Sequence, residues 1–361
     1  MASALLSACA SGPTSSEPDG AAPEGSIRGD DRADGPNGFT LPALTQEGIG
    51  SENGSGWAHT GEAYADIDWQ QGPFAHVLAV LDLESACYPF EQATPPPVGQ
   101  NWPARCDAFD RNLNVWLDDA PRPAFEIMHA ITPFGGPMHL EADVTDLANA
   151  LPGPHRVRVE LGSFADPSGK VTGANAGWTV SMRFDVEAGP APRRVLAAVP
   201  LFARKLLLDD ASASAGFSAP AGTVSGRLEY RTSGHGQGEI GDDCFGPAEE
   251  FCSRVHELTV DGTVAKSVSA YRRNCVALCS LVHLGPADAG SDYCLENPCG
   301  DLKSVRASRA NWCPGSMTPP FVWDDIPALA QPGAHTLSVA IAPILAGGHW
   351  DASATYFAYG E

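Results

Sequence analysis

The segment WTVSMRFDVEAG, Trp178 to Gly189, sets the fold class. Trp178, Val180, Met182, Phe184 and Val186 occupy every second position, with Thr179, Ser181, Arg183, Asp185 and Glu187 between them. A period of two with one apolar side marks a β-strand laid on a core. Outward from it the same alternation recurs. HRVRVEL sets Val157, Val159 and Leu161 against Arg156, Arg158 and Glu160. NLNVWL sets Leu113, Val115 and Leu117 against Asn112, Asn114 and Trp116, and HTLSVAIAPIL keeps Leu337, Val339 and Ile341 in step. FAHVLAVLDL, GRLEYRTSG, VHELTVDGT and TYFAYGE are further short apolar runs, while VTDLANAL is a short helical candidate. With 38 glycines and 31 prolines as punctuation, the chain reads as all-β and sandwich-like.

The chain's 361 residues exceed one ordinary core. The Gly/Pro break EAGPAPRR, Glu187 to Arg194, divides it into a first domain over residues 56–188 and a second over 189–361. Residues 1–55, rich in Gly, Pro, Ser and acid, read as a disordered leader. Within it, Leu6-Ser7-Ala8-Cys9 resembles the tail of a bacterial lipoprotein signal, which would make Cys9 a lipid anchor and the following segment a tether. The net charge of −22 repels phosphate, so nucleic acid and anionic membrane are poor partners. Ten cysteines point to an oxidising compartment, hence to a secreted or periplasmic, cell-envelope protein.

Cys87 and Cys106 flank a Pro-rich insertion, and a disulfide there would stabilise by roughly 3 kcal/mol and fix the segment leading to Asp110. Cys244 and Cys252 bracket FGPAEEF. Cys275, Cys279, Cys294, Cys299 and Cys313 cluster in one loop-rich stretch. Disulfides are the expectation, with Cys275 and Cys313 among the bridged residues. The alternative is a zinc site from Cys275, Cys279, Cys294 and Cys299, whose spacings nearly match a zinc ribbon.

Asp110 stands next to Arg111 where the strand around NLNVWL begins. A cationic neighbour holds a carboxylate ionised, as a base or nucleophile requires; the alternative is a solvated strand-start aspartate. Glu250, in PAEEFCSRVH, lies between Glu249 and Phe251, beside Cys252. An aromatic surround would raise its pKa and make it a proton donor; a surface loop glutamate is the alternative. In RTSGHGQGE, Gly234 and Gly236 flank His235 and would let its ring approach a ligand. SRANWCPG joins Arg309 to Trp312, a pairing suited to sugar hydroxyls and ring faces. The chain has no G-x-S-x-G, no G-x-x-x-x-G-K-[ST] and no H-E-x-x-H, and its ten histidines include no H-x-H or H-x-x-x-H pair.

CDAFDR, AITPFGG followed by LEADVTDL, AAVPL, SGHG, AEEFCSRVH and RANWCPG occur in an order that resembles the peptide:N-glycosidase F family of bacterial exported amidases, over about residues 75–361. The resemblance implies two eight-stranded antiparallel jelly rolls side by side, with the site at their interface. It implies hydrolysis of the amide between asparagine and the first GlcNAc of an N-glycan, without a metal or other cofactor. Asp110 matches the family's essential aspartate, Arg111 would orient sugar or carboxylate, and Glu250 would act through water or bind core sugars. Arg309 matches the arginine before Trp-Cys-Pro-Gly. Phe109 and Phe251 stand at tryptophan positions, and so does His235, which would bind substrate. A third family glutamate aligns with Gly162, and Glu160, on the same strand face, would replace it.

The expected partners are N-glycosylated peptides or proteins, acted on by a monomer. Two rival readings remain at this point: a carbohydrate-binding module with a decayed site, and a copper-dependent monooxygenase of similar architecture, which the lack of paired histidines disfavours.

Overall fold

The structure, a computed structural model, describes residues 38–50, 59–69, 72–88, 96–119, 124–236, 244, 248–284 and 290–361. Cys9 and its lipidation lie outside these residues.

Eight strands build the first sandwich: β1 (Gly38–Gly50), β2 (His59–Asp68), β3 (Phe74–Ser85), β4 (Asn112–Leu117), β5 (Phe125–Ile131), β6 (Met138–Asp143), β7 (Pro154–Ser163) and β8 (Gly177–Ala188). They pair as β1-β8-β3-β6 in one sheet and β5-β4-β7-β2 in the other, which is jelly-roll order. The second sandwich uses β9 (Val195–Leu206), β10 (Ser212–Ala219), β11 (Ser225–Gly236), β12 (Arg254–Val260) and β13 (Thr263–Ala270). After a small hairpin of β14 (Leu281–Leu284) and β15 (Ser291–Cys294) come β16 (Ser316–Met317), β17 (Phe321–Trp323), β18 (Gly333–Ile341) and β19 (Gly348–Tyr359). The sheets β17-β11-β19-β9 and β10-β18-β12-β13 repeat the same jelly-roll order. The two-residue β16 crosses over to pair with β5 of the first sandwich.

The alternation read from the sequence is realised in the packing. Trp178, Val180, Met182 and Phe184 are buried in the first core with Leu113, Val115, Leu117, Val157, Val159 and Leu161. Leu337, Val339 and Ile341 lie in the second core with Tyr230, Trp350 and Tyr356. VTDLANAL supplies the helix Thr145–Ala150. β1 corrects the leader: Gly38–Gly50 is a strand, inside the stretch expected to be disordered. Register shifts between Pro42 and Leu44 and between Leu44 and Glu47 scramble its period, yet Leu44 and Ile49 reach the core. Pro42 is tolerated because β1 is an edge strand.

Among the described residues four disulfides hold the loops: Cys87–Cys106, Cys244–Cys252, Cys275–Cys313 and Cys279–Cys294. Three of the four cysteines of the zinc alternative, Cys275, Cys279 and Cys294, are thereby consumed, which removes that reading. Four disulfides fit an extracellular environment.

Candidate active site

Asp110 is presented by a turn rather than a strand, because β4 begins two residues later, at Asn112. The turn is organised by Asp107, a residue the sequence reading passed over. Asp107 is fully buried and accepts both Arg111 Nε (2.8 Å) and Arg111 Nη2 (2.9 Å). It also accepts the backbone N–H groups of Phe109 (3.2 Å) and Phe164 (3.0 Å). The Cys87–Cys106 disulfide holds the entry, and Arg111 N–H donates to Thr132 Oγ1 at the exit. Removing one partner of a buried ion pair leaves the other charge uncompensated. Asp107→Asn is therefore expected to cost about 3 kcal/mol in a urea melt.

This geometry corrects the role given to Arg111. Its guanidinium is committed to Asp107 and lies over the rings of Phe109 (5.2 Å) and Phe164 (5.4 Å). Nor does it hold Asp110 at an ordinary carboxylate pKa. Burial raises the Asp110 pKa, outweighing Arg309 and Arg111, and its Oδ2 is buried without a hydrogen-bond partner.

Glu250 sits in a short 3-10 turn, Ala248–Phe251, fixed by the Cys244–Cys252 disulfide. The turn separates it from its neighbour. Glu249 is fully buried and takes hydrogen bonds from Arg254 and from Trp350 Nε1 (2.7 Å), a purely structural set. Glu250 is instead bound by Arg309 Nη1. Arg309 is itself fully buried, sandwiched between the rings of Phe251 (4.4 Å) and Trp312 (4.3 Å), and its Nη2 donates to Ser304 O (2.9 Å) and Ser304 Oγ (2.7 Å). Burial lifts the Glu250 pKa to about 7, with Arg309 opposing and the Asp110 charge adding to the rise.

A cleft of about 210 Å³ brings these groups together, lined by Asp110, Asn112 and Ile131 of the first sandwich and His235, Gly236, Glu250 and Trp312 of the second half. Two carboxyls with raised pKa values in one cleft share protons between them, so one can be ionised while the other is protonated. The same shift has a stability consequence. Folded Glu250 keeps a proton that the unfolded chain releases near the ordinary glutamate value of 4.5, so stability falls as pH rises from there to about 7. Glu250→Gln is expected to flatten the melting temperature over that interval.

Of the other residues singled out, His235 and Trp312 do face the cleft, but not as an open sugar platform. Trp312 is 2% exposed, donates Nε1–H to Gly234 O (2.8 Å) and lies under the His235 ring at 5.5 Å. Phe251 is buried beneath Arg309, and Phe109 packs edge-on to Phe164. The glycines serve packing: a Cβ on Gly234 would come within 2.7 Å of Ala310 Cβ and 2.8 Å of the Trp350 ring. Gly236 has φ +101°, a backbone conformation that suits glycine. Glu160 lies outside the cleft, in an adjoining groove of about 500 Å³ that shares Asn112 with it and also includes Trp116, Gly162, Lys205 and Asp351. There Glu160 accepts from Trp116 Nε1 at 3.1 Å. Asn112 Nδ2 donates to Asp351 Oδ2 (3.0 Å), tying the two sandwiches at the junction of cleft and groove. Among the described residues, no group of three or more His, Cys, Asp or Glu is placed to hold a metal ion.

Comparison with known proteins follows this architecture. Residues 205–355 match the family "Peptide-N-glycosidase F, C terminal". No curated protein matches in sequence. Among solved structures, PNGF-II superposes at TM-score 0.65 and 17% identity over 90% of this chain, which spans 65% of the PNGF-II chain. A peptide-N(4)-(N-acetyl-β-D-glucosaminyl)asparagine amidase superposes at TM-score 0.65 and 16% identity, with 90% of this chain and 96% of that one covered. PNGase F, a glycosylasparaginase from Flavobacterium meningosepticum, gives 0.61 and 16% with the same coverage. At such identities the structures show the fold alone, and the match to the peptide-N-glycosidase F C-terminal family is confined to residues 205–355, within the second half of the chain.

Proposed function

We propose that the protein hydrolyses the amide between an asparagine side chain and the innermost GlcNAc of N-glycans on peptides or proteins, leaving aspartate and a glycosylamine. The observation that carries this reading is the meeting of Asp110 and Glu250 in one cleft, both within the field of buried Arg309. An amide resists water, so catalysis calls for a positioned hydroxyl and a proton for the leaving nitrogen. Asp110, in its ionised form, is the base or nucleophile; Glu250, with a pKa of about 7, is the proton donor; Arg309 orients Glu250. The adjoining groove, with Trp116, Glu160 and Asn114, offers a surface for sugars beyond the first.

Two outcomes follow. The rate kcat/KM is expected to fall above about pH 7 as Glu250 loses its proton, and Glu250→Gln is expected to abolish that limb together with most of the activity. Incubation with a denatured N-glycoprotein should release free glycan and convert the attachment asparagine to aspartate in the peptide mass spectrum. Binding of the glycoprotein with no release would instead identify a carbohydrate-binding protein.

A further inference from the structure

Four polar side chains run from the cleft into the domain interface. His235 Nε2 lies 2.6 Å from Ser233 Oγ, and the same oxygen lies 2.6 Å from His129 Nε2. His129 Nδ1 in turn lies 2.7 Å from Glu126 Oε1. Ser233 and His235 belong to β11 of the second sandwich, His129 and Glu126 to β5 of the first, and all four are buried. In an unbroken strand Glu126 and His129 would face opposite sides. The pairing steps from Val115↔Met128 to Trp116↔Glu126, so Ile127 bulges and both side chains turn to the interface.

The proton count of this row is constrained. A serine hydroxyl has one proton to donate, so between two imidazole nitrogens it donates to one and accepts from the other. Glu126 accepts from His129 Nδ1–H. When His129 is an imidazolium, its Nε2–H donates to Ser233, Ser233 donates to His235 Nε2, and a neutral His235 must carry its proton on Nδ1. When His129 is neutral, Ser233 donates to it instead, His235 Nε2 carries the proton, and His235 Nδ1 is a bare acceptor.

We propose that Glu126, His129 and Ser233 are positioning residues that set, across the domain interface, which ring nitrogen of His235 carries the proton beside Asp110 and Glu250. His235 is then a hydrogen-bond donor through Nδ1 while His129 is charged, and an acceptor there once His129 is neutral. In the donor form it suits a carbonyl oxygen, such as that of an amide or an N-acetyl group; this use rests on the amidase reading.

The surroundings support the charged form of His129. Burial opposes its charge, but Glu126 and the more distant Asp351 outweigh burial and Arg231 and raise its pKa. Asn114 of β4 donates to Glu126 Oε1 at 2.5 Å, and Ser353 of β19 donates to Glu126 Oε2, so the anion is held on both oxygens. Burial, then the positive field of His349, His129, Lys205 and Arg309, keeps the His235 pKa well below its ordinary value, so His235 is neutral.

The test is isotope-edited NMR of the histidine ring nitrogens in the full-length protein, titrated with pH. It needs no substrate, so its outcome is independent of whether the protein is an amidase. In the wild type, His235 is expected to show a protonated Nδ1 whenever His129 is doubly protonated, and to exchange that proton to Nε2 in step with any loss of charge on His129. Ser233→Ala is expected to abolish the correlation. A His235 proton on Nε2 beside a charged His129, or a correlation that survives Ser233→Ala, would overturn the proposal. Should the variant fail to fold, the wild-type titration decides alone.

Discussion

Asp110→Asn is expected to lower kcat/KM by on the order of 1,000-fold, the range in which removal of a general base or nucleophile falls. The substitution keeps the shape of a side chain whose Oδ2 already lacks a protein partner, so the scaffold loses little. Asp107, Arg111, Thr132 and the Cys87–Cys106 disulfide, which build the turn, are untouched. Glycan binding, measured by calorimetry with a glycopeptide, should stay within a few-fold of wild type. A variant that binds and does not cleave assigns Asp110 to the chemistry. A variant that cleaves at the wild-type rate removes it.

Arg309→Met should produce the second-largest effect, and on two scales at once. Arg309 has no exposed surface, and its guanidinium fills the space between Phe251 and Trp312 while bonding Glu250 and Ser304. Breaking this buried pair is expected to cost about 3 kcal/mol in a denaturant melt, since Glu250 can take up a proton in partial compensation. Activity should fall on the order of 100-fold, the loss expected when one fixed electrostatic partner leaves a site. The Glu250 pKa should rise further, because Arg309 is the group that opposes burial there. Arg309→Lys, which keeps the charge and loses the flat stack and the pair of hydrogen bonds to Ser304 O and Oγ, should fall between.

Much of this architecture was legible before any coordinates. Trp178 to Val186 and Val157 to Leu161 alternate strictly because one face of each strand is wholly in the core, and so their reading survives. β1 was hidden because two register shifts break its period, leaving Leu44 and Ile49 without a pattern to betray them. At the site, Asp110, Glu250, His235 and Trp312 were each singled out from their neighbours in sequence and joined only by the resemblance; all four line one cleft. Asp107 was missed because sequence adjacency favours the pair Asp110–Arg111, whereas the turn folds Arg111 back onto the residue four before it. The signal available was that spacing, directly after a cysteine. Glu126 and His129 were missed for a different reason: a period of two places them on opposite faces, and only the bulge at Ile127 brings them together. Trp312 lines the cleft, but its indole is buried and supports His235 and Arg309 from beneath, so it offers no open ring face to a sugar.

The central physical claim is that two carboxyls from different sandwiches share one cleft, where the Asp110 charge raises the Glu250 pKa. Carboxyl-carbon NMR of Glu250 as a function of pH tests it most directly, in the wild type and in Asp110→Asn. The account predicts a wild-type midpoint of about 7 that moves down when the Asp110 charge is removed. A midpoint near the ordinary glutamate value of 4.5 that does not respond to Asp110→Asn would contradict it.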